Sequence, residues 1–471
     1  MPWSVSNSPT KSMAPAEPEK KAQPEQKPTI TPTASAVLAN GELVEMVYDP
    51  VERKTRFVMG SSEAWGYEET VQLSPLERLV PYSPTNNLVK HGVVLFASEP
   101  TEYGDDAALV SRIRDFVHRY VDVSEDFETV ATYYILFTWV YDAFHEVPYV
   151  RIRGGYGTGK TRFLLAVGSL CRFAIFASAA STVSPLFRLL DAFRGTLILD
   201  EGDFRYSDEK SEVVKILNNG NARGFPVLRT EVSPKKEFDP RAYHVFGPKI
   251  VATRGFFQDR ALESRCVTED MRGGSLRREI PLNLDDSFHE EARNLRNQLL
   301  LYRLRHFKDA RGQTRAGARD LEPRLQQIFG PLVSVIDDAS ARERVVGVLG
   351  KLNEDAVEER SESAEAQVLS VIRELVAKGP EARLAIQDIT SAFLARYGHE
   401  YERRITPHWV GSIVRRRLGL RPSKSTGTYL LRPEDVARLP SLYVRYGLTS
   451  AEKNDPGPPA VEEGETKSAA S

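Results

Sequence analysis

Short apolar runs alternate with amphipathic stretches through the middle of the chain. The runs have the length and continuous hydrophobicity of strands buried on both faces, and they lie at Tyr149–Arg153, Phe173–Phe176, Thr196–Asp200 and Lys249–Thr253. The stretches between them repeat apolar residues with a helical period, at 161–171, 183–193 and 210–219. This alternation predicts an α/β fold in which helices flank a parallel sheet, over a central unit of residues 149–286.

The N-terminal side of the chain follows other patterns. Residues 1–35 hold seven prolines among Lys, Glu and Gln, and residues 441–471 are similarly polar, so we expect disordered tails at both ends. Residues 36–106 predict a small β-rich region that contains a hairpin of Leu43–Tyr48 and Thr55–Met59.

Residues 107–148 predict a helical segment that precedes the central unit. Its apolar stretch, Thr129–Tyr141, is too short to cross a bilayer, which takes about 20 residues. We therefore expect a buried helix here and a soluble protein with no membrane contact.

On the C-terminal side, residues 287–360 are helical and charged, and we interpret them as a lid or linker. Residues 361–440 then have the element order of a winged helix. The predicted elements are a helix at Glu365–Lys378, a strand at Arg383–Ile386, a helix at Gln387–Tyr397, a third helix capped by Thr406 and opened by Pro407, and a hairpin over Leu420–Leu431. We expect the third helix to bury Trp409, Val410, Ile413 and Val414.

Composition narrows the classes of protein that fit. With 41% hydrophobic residues and a net charge of −2, the chain as a whole is globular. The two cysteines, Cys171 and Cys266, are too few and too far apart for a disulfide framework or a thiolate zinc site. We interpret them as core thiols in a cytoplasmic protein.

The net charge of the whole chain is near zero, but one part of the chain is basic. Residues 363–433 carry twelve Lys+Arg against six Asp+Glu, although the whole chain has 63 against 65. The third helix and the hairpin of this module carry Arg415, Arg416, Arg417 and Lys424, which suit a DNA groove and backbone. Protein binding is the alternative, since winged helices also dock on proteins.

The strongest motif follows the first strand of the central unit. Residues 154–161 fit G-x-x-x-x-G-K-[ST] in full, with the residues Gly154, Gly155, Tyr156, Gly157, Thr158, Gly159, Lys160 and Thr161. Glycines let backbone N–H groups surround a polyphosphate, Lys160 is expected to reach the β- and γ-phosphates of ATP, and Thr161 to ligate Mg²⁺. A chance glycine-rich turn is the alternative, and a nicotinamide-binding loop would need glycine where Lys160 stands.

A pair of carboxylates ends the third predicted strand. Asp200 is placed to hold the magnesium ion, and Glu201 to polarise the attacking water as a general base. With this adjacent pair the chain resembles the P-loop NTPases that hydrolyse with an in-strand glutamate, among them AAA+ proteins, superfamily 3 helicases and minichromosome-maintenance helicases. The resemblance implies that Lys249–Thr253 lies between the other two motif-bearing strands, with Thr253 as sensor 1. Many members carry Asn there, and a structural strand-end threonine is the alternative.

Two further features extend this resemblance. Ser264-Arg265-Cys266 resembles the sequence box of clamp loaders whose arginine reaches the nucleotide of a neighbouring subunit, an arginine finger. Arg260 is the alternative finger, and Arg293 and Arg296 are weaker candidates for a lid arginine.

Two arms, Phe225–Glu231 and Glu237–Phe246, predict a hairpin before the sensor strand. Its tip carries Lys235 and Lys236, which resemble the basic, DNA-tracking tips of hexameric helicases; a merely solubilising turn is the alternative.

Together these features indicate an ATP- and Mg²⁺-dependent motor on DNA, a ring-forming homo-oligomer and a helicase in replication. A non-translocating DNA-dependent ATPase, such as a loader or transposition regulator, is one alternative. A nucleotide-gated signalling switch with a protein-binding winged helix is the other.

Overall fold

The structure is a computed structural model that describes residues 28–448 apart from short stretches. Those stretches are 63, 179–181, 201–207, 233–237, 256, 258, 272–276, 313–322, 362, 378, 380–383, 402–403 and 426.

The strands are numbered in chain order. They are β1 (Thr29–Pro32), β2 (Ser35–Val37), β3 (Leu43–Asp49), β4 (Lys54–Gly60), β5 (Trp65–Glu68), β6 (Val71–Ser74), β7 (Glu77–Val80), β8 (Tyr149–Arg153), β9 (Ile175–Ser178), β10 (Leu197–Asp200), β11 (Val227–Val232), β12 (Phe238–Tyr243), β13 (Lys249–Thr253), β14 (Cys266–Asp270), β15 (Ser423–Ser425) and β16 (Thr428–Leu430).

The α-helices are numbered in the same way. They are α1 (Asn87–Lys90), α2 (Asp106–Tyr120), α3 (Glu125–Val140), α4 (Lys160–Gly168), α5 (Val183–Phe193), α6 (Asp208–Asn219), α7 (Arg260–Glu263), α8 (Asp286–Gly312), α9 (Pro323–Ser334), α10 (Ala339–Ser361), α11 (Ala364–Ala377), α12 (Ile386–Tyr397), α13 (Pro407–Ser412), α14 (Pro433–Ala437) and α15 (Leu439–Arg445).

The centre of the molecule is a parallel five-stranded sheet in the order β14-β8-β13-β10-β9. Helix α4 packs against β8, β10 and β13. The predicted α/β fold is therefore confirmed, and so is the expected position of β13 between β8 and β10. Because all five strands run the same way, the loops that follow them meet at one edge.

The N-terminal region forms an antiparallel sheet in the order β2-β3-β4-β5, and the predicted hairpin is its β3–β4 pair. The expectation of disorder up to residue 35 is wrong at its boundary, since β1 pairs with β7 from Thr29 onward. β-branched Thr29, Ile30 and Thr31 favour the extended backbone, and Pro32 is tolerated because β1 is an edge strand.

Helix α3 is buried along nearly its whole length, as expected for the apolar stretch at 129–141. No helix among the described residues is long and apolar enough to span a bilayer. Both cysteines, Cys171 and Cys266, are buried free thiols, and burial raises the pKa of each to about 12. Their interpretation as core thiols is confirmed.

Two hydrophobic cores organise the described chain. The first runs continuously from Ala34 to Leu349, so the boundaries expected at residues 106, 148 and 286 all fall inside one core. The second runs from Ala366 to Tyr446. Helix α15 contributes Leu439 and Leu442 to it, so the C-terminal unit extends beyond residue 440, where we expected the tail to begin.

The described part of the predicted first strand in the second core, residues 384–386, contains a single bridge, from Ala385 to Leu430. Thr406 caps α13 as expected, and its hydroxyl accepts a hydrogen bond from the Trp409 N–H at 3.3 Å. Trp409 is only partly buried, in contrast to the fully buried Val410, Ile413 and Val414.

A buried ionic network joins four parts of the first core. Glu45 on β3 accepts hydrogen bonds from Arg172, after α4, at 2.9 Å and from Arg303 on α8 at 2.8 Å. Arg303 also donates to both oxygens of Asp142, after α3, at 2.6 and 2.7 Å. Burial raises the pKa of Asp142, but the charges of Arg303 and Arg172 outweigh that effect and lower it to about 2. The network fixes the N-terminal sheet and α8 to the end of α4.

Replacing Glu45 with Gln should lower the free energy of unfolding by about 3–5 kcal/mol, because Arg172 and Arg303 would then share the charge of Asp142 alone. Urea unfolding followed by circular dichroism measures this loss. Glu69→Gln is the control, since Glu69 pairs with Lys54 at an exposed position and such pairs contribute little. A Glu45→Gln protein with the wild-type midpoint would contradict the structural role of the network.

Candidate nucleotide-binding site

The glycine-rich loop connects β8 to α4 at the carboxyl edge of the central sheet. Gly157 and Gly159 have φ values of 74° and 89°, which disfavour any residue with a Cβ, and Gly159 is the N-cap of α4. A Cβ on Gly154 would lie 2.7 Å from the Met271 carbonyl oxygen and 2.7 Å from the Thr158 hydroxyl. Glycine is therefore required at three positions of the motif for local geometric reasons.

The side chains of the motif converge with the strand that follows. Lys160 folds back over the loop and donates to the carbonyl of Gly154 at 2.9 Å and to that of Gly155. The Thr161 hydroxyl donates to Asp200 Oδ2 at 2.9 Å. The structure thus brings together a cation, a hydroxyl and a carboxylate from residues 40 positions apart in sequence.

Thr253 lies at the same edge, because β13 separates β8 from β10. Its carbonyl accepts a hydrogen bond from the Gly154 N–H at 3.1 Å, so β13 contacts the loop directly. The Thr253 side chain is buried, and its hydroxyl donates to the Gly255 carbonyl at 3.0 Å. That bond fits the alternative of a strand-end threonine as well as a sensor.

The residues at this edge suit a magnesium–nucleotide complex. A Cβ on Gly155 or Gly157 would meet nothing within 4 Å, so there is open space beside the backbone of the loop at these two residues. The Thr161 hydroxyl and the Asp200 carboxylate supply the oxygen donors that Mg²⁺ prefers. Among the described residues there is no cluster of three His, Cys, Asp or Glu side chains that would favour another metal.

Arg265 lies at the opposite edge of the sheet. It precedes β14, whose first residue, Cys266, is in register with Tyr149 at the start of β8. Its guanidinium is half-buried and donates to Asn218, which in turn donates to Asp259, the residue that caps α7. Burial lowers the pKa of Arg265, and its Nε has no hydrogen-bond partner in the described chain.

One of the two weaker candidates for a lid arginine, Arg296, is held inside the fold. Arg296 is buried and donates to the carbonyls of Phe96 at 3.1 Å and Ser169 at 2.7 Å, where its charge faces the C-terminus of α4. Burial and the charge of Arg293 lower the pKa of Arg296 to about 10. Its role as a lid arginine is therefore wrong, because the side chain is held inside the fold.

The four basic residues predicted to contact DNA, Arg415, Arg416, Arg417 and Lys424, are all exposed. Arg415 lies over the ring of Tyr429 at 5.6 Å, and Tyr429 is in register with Lys424 across the β15–β16 pair, so helix end and hairpin meet there. Arg417 instead donates to Glu365 at 2.7 Å. The four basic residues are thus not equivalent, since one is already paired with a carboxylate.

Several predicted site residues lie outside the described part of the chain. Glu201 follows Asp200 directly, and Lys235 and Lys236 lie between the arms of the hairpin. Those arms, β11 and β12, form the predicted antiparallel pair. Arg260 begins α7, but its side chain is also outside the described set.

Lys249 begins β13 and is fully buried, and it was not predicted from the sequence as a site residue. Its ammonium donates to the carbonyls of Val245 at 3.0 Å, Gly247 at 2.8 Å and Gly220 at 3.3 Å. Burial lowers the pKa of Lys249 to about 7. Lys249 therefore joins the end of α6, the base of the hairpin and β13. The signal that could have revealed it is a lysine that opens an otherwise apolar run.

Comparison with known proteins gives only remote likenesses. No protein-family model and no curated protein matches the chain. The apo C-terminal region of NrS-1 aligns with it at 10% identity, over 82% of this chain and 96% of that one, with a TM-score of 0.34.

Two further solved structures align over less of the chain. A full-length MCM homolog from Methanopyrus kandleri aligns at 13% identity, over 64% of this chain and 67% of that one, with a TM-score of 0.30. A JCV helicase aligns at 14%, over 58% and 66%, with a TM-score of 0.22. Likeness at this level carries no argument about activity. The fold itself is P-loop-like. It is a parallel five-stranded sheet in which a glycine-rich loop connects β8, the second strand in spatial order, to helix α4.

The loop geometry predicts that alanine is destabilising at Gly154 but not at its neighbour Gly155. Gly154→Ala should destabilise the protein by about 1–3 kcal/mol, because its Cβ would collide with the Met271 carbonyl and Thr158. Gly155→Ala is the matched control and should leave the unfolding midpoint unchanged. Thermal unfolding of both variants measures the difference, and equal midpoints would contradict the loop geometry.

Proposed function

We propose that the chain hydrolyses ATP at the glycine-rich loop. The observation that carries this proposal is the 2.9 Å bond between Thr161 and Asp200, which joins the end of the loop to the end of β10. Lys160 and the loop N–H groups would hold the phosphates, and Thr161 and Asp200 would hold Mg²⁺. The metal ion supplies charge neutralisation on the phosphate oxygens when bound.

Glu201 is the proposed general base. It is the residue after Asp200 in the sequence, and the side chains of consecutive residues in an extended segment would point to opposite faces, so the two carboxylates would take different tasks. Glu201 would accept the proton of the attacking water, and Thr253 would orient that water.

Glu201→Gln should keep nucleotide binding but slow hydrolysis by about 10²-fold or more, the usual scale for losing a general base. Phosphate release measures the rate, and binding of a fluorescent ATP analogue shows that the site is intact. Glu52→Gln, at an exposed turn of the N-terminal sheet, is the control for the same charge change. Full activity in the Glu201→Gln protein would refute the assignment.

We propose that the active form is a homo-oligomeric ring in which Arg265 serves a neighbouring subunit. Strand β8 has five residues at a rise of about 3.3 Å each, and Arg265 lies at its far end from the chain's own loop. An arginine side chain cannot span that length, so a catalytic role for Arg265 requires a second copy. Arg260, at the start of α7, is the alternative finger.

The proposed polymer substrate is DNA. Three helices of the C-terminal unit, α11, α12 and α13, are followed by the β15–β16 hairpin, an order that supports a winged helix. Arg415 and Arg416 are exposed on the π-helical turn that continues α13, and Lys424 is exposed on the hairpin. The hairpin before the sensor strand would present Lys235 and Lys236 to phosphates. Translocation by a replicative helicase accounts for both features in one molecule. A loader would show DNA-stimulated hydrolysis without unwinding, and a signalling switch would show neither.

The combined variant Lys235→Ala/Lys236→Ala should lose displacement of a strand from a forked duplex while it keeps basal ATP hydrolysis, because only the contact with DNA is removed. Lys308→Ala/Lys351→Ala removes the same charge from exposed positions on α8 and α10 and should unwind normally. Wild-type unwinding by the hairpin variant would refute the role of the tip.

A further inference from the structure

A second cleft opens at the edge of the sheet opposite the glycine-rich loop. Its volume is about 480 Å³, and its walls include Tyr141, Arg194, Arg223, His244 and Phe246. Strand β2, the edge of the N-terminal sheet, forms another wall. Residues 223–224 precede the hairpin formed by β11 and β12, and residues 244–246 follow it, so both ends of the hairpin border the cleft.

Arg223 is held rigidly in the cleft without a neutralising carboxylate. Its guanidinium donates to the backbone carbonyls of Phe144 at 2.9 Å and Asp142 at 2.5 Å, and it stacks on the Phe246 ring at 4.6 Å. It forms no ion pair with any described residue. Carbonyl groups fix the direction of the side chain but leave its full positive charge in place.

Arg194 is held in an unfavourable backbone conformation. It caps the C-terminus of α5 with φ of 48°, in the left-handed region where glycine is the usual residue. The Tyr141 hydroxyl donates to its carbonyl, and the Arg194 side chain makes no hydrogen bond or ion pair with residues that the structure describes. Strain of this kind is concentrated at functional sites, and here it accompanies an uncompensated charge.

The other two charged side chains among the described residues that line the cleft, Arg172 and Asp142, are already paired. Arg172 pairs with Glu45, and Asp142 pairs with Arg303. Asp191 accepts the backbone N–H of His244 at 3.0 Å and lines a neighbouring cleft beside Arg188 and Arg241. Arg194 and Arg223 are left as two positive groups.

We propose that this cleft binds a phosphate group, held by Arg194 and Arg223, at a site separate from the glycine-rich loop. Guanidinium groups match the oxygen geometry of phosphate, and each charged hydrogen bond contributes more than a neutral one. The phosphate belongs either to a small phosphate compound or to a nucleic-acid strand that reaches the base of the hairpin. The inference does not depend on ATP hydrolysis at the loop.

The test compares two arginines that share the same strain. Arg194→Gly removes the charge and relieves the left-handed backbone, so the protein should be as stable as its parent or more stable. Arg53→Gly makes the same change at an exposed turn with φ of 52° and is the matched control. Both are made in the full-length chain, and in a Lys160→Ala background for the small probe.

The probes are inorganic pyrophosphate, followed by titration calorimetry, and a fluorescein-labelled oligothymidylate, followed by anisotropy. We expect Arg194→Gly to weaken at least one of them by about tenfold, the scale of a lost charged hydrogen bond, with Arg53→Gly unchanged. Loss of pyrophosphate binding identifies a small phosphate ligand, and loss with the oligonucleotide alone identifies a strand.

Unchanged affinity for both probes in Arg194→Gly and in Arg223→Gln would overturn the proposal. Neither readout measures hydrolysis, so this failure is distinguishable from a failure of the ATPase proposal.

Discussion

Arg172 and Arg303 lie in the interior of the first core with no exposed surface, and Glu45 and Asp142 balance their charges. An arginine cannot escape this constraint by losing its proton, so the four groups must assemble together. Because they come from β3, the turn after α3, the turn after α4 and α8, their assembly fixes those elements relative to one another. The N-terminal sheet is thereby part of the same body as the central sheet.

The buried network of arginines and carboxylates also helps to position the candidate site, because α4 connects the two. The helix carries Lys160 and Thr161 at its N-terminus, and the turn after its C-terminus carries Arg172, while Arg296 holds the carbonyl of Ser169. Both ends of the helix are therefore fixed, one by the loop glycines and the other by buried arginines. A firmly held helix keeps Thr161 within hydrogen-bond distance of Asp200.

Much of this architecture was accessible from the sequence because it depends on local patterns. The bounds of β13 and α5 coincide with the predicted ones, and the loop from Gly154 to Thr161 lies between strand and helix as its motif requires. The order of the strands was available only through resemblance to a family, because hydrophobic periodicity carries no information on which strands are neighbours.

The charged interior could not be predicted. Glu45 is separated from Arg172 by 127 residues and from Arg303 by 258, and each lies in a segment whose pattern does not mark it as buried. Arg417 was predicted as an exposed DNA contact, but its pairing with Glu365 depends on how α11 packs. No sequence pattern marked Arg194, because its left-handed backbone conformation arises from its position at the C-terminus of α5. Tertiary contacts, rather than local preference, decide all of these positions.

We propose that the glycine-rich loop hydrolyses ATP in response to DNA. The most direct test is the steady-state rate of ATP hydrolysis by the wild-type chain and by Lys160→Ala, each with and without single-stranded DNA. We expect ATP hydrolysis that DNA accelerates and that disappears in Lys160→Ala. Hydrolysis that is absent from the wild type, or equal in the two proteins, would contradict it.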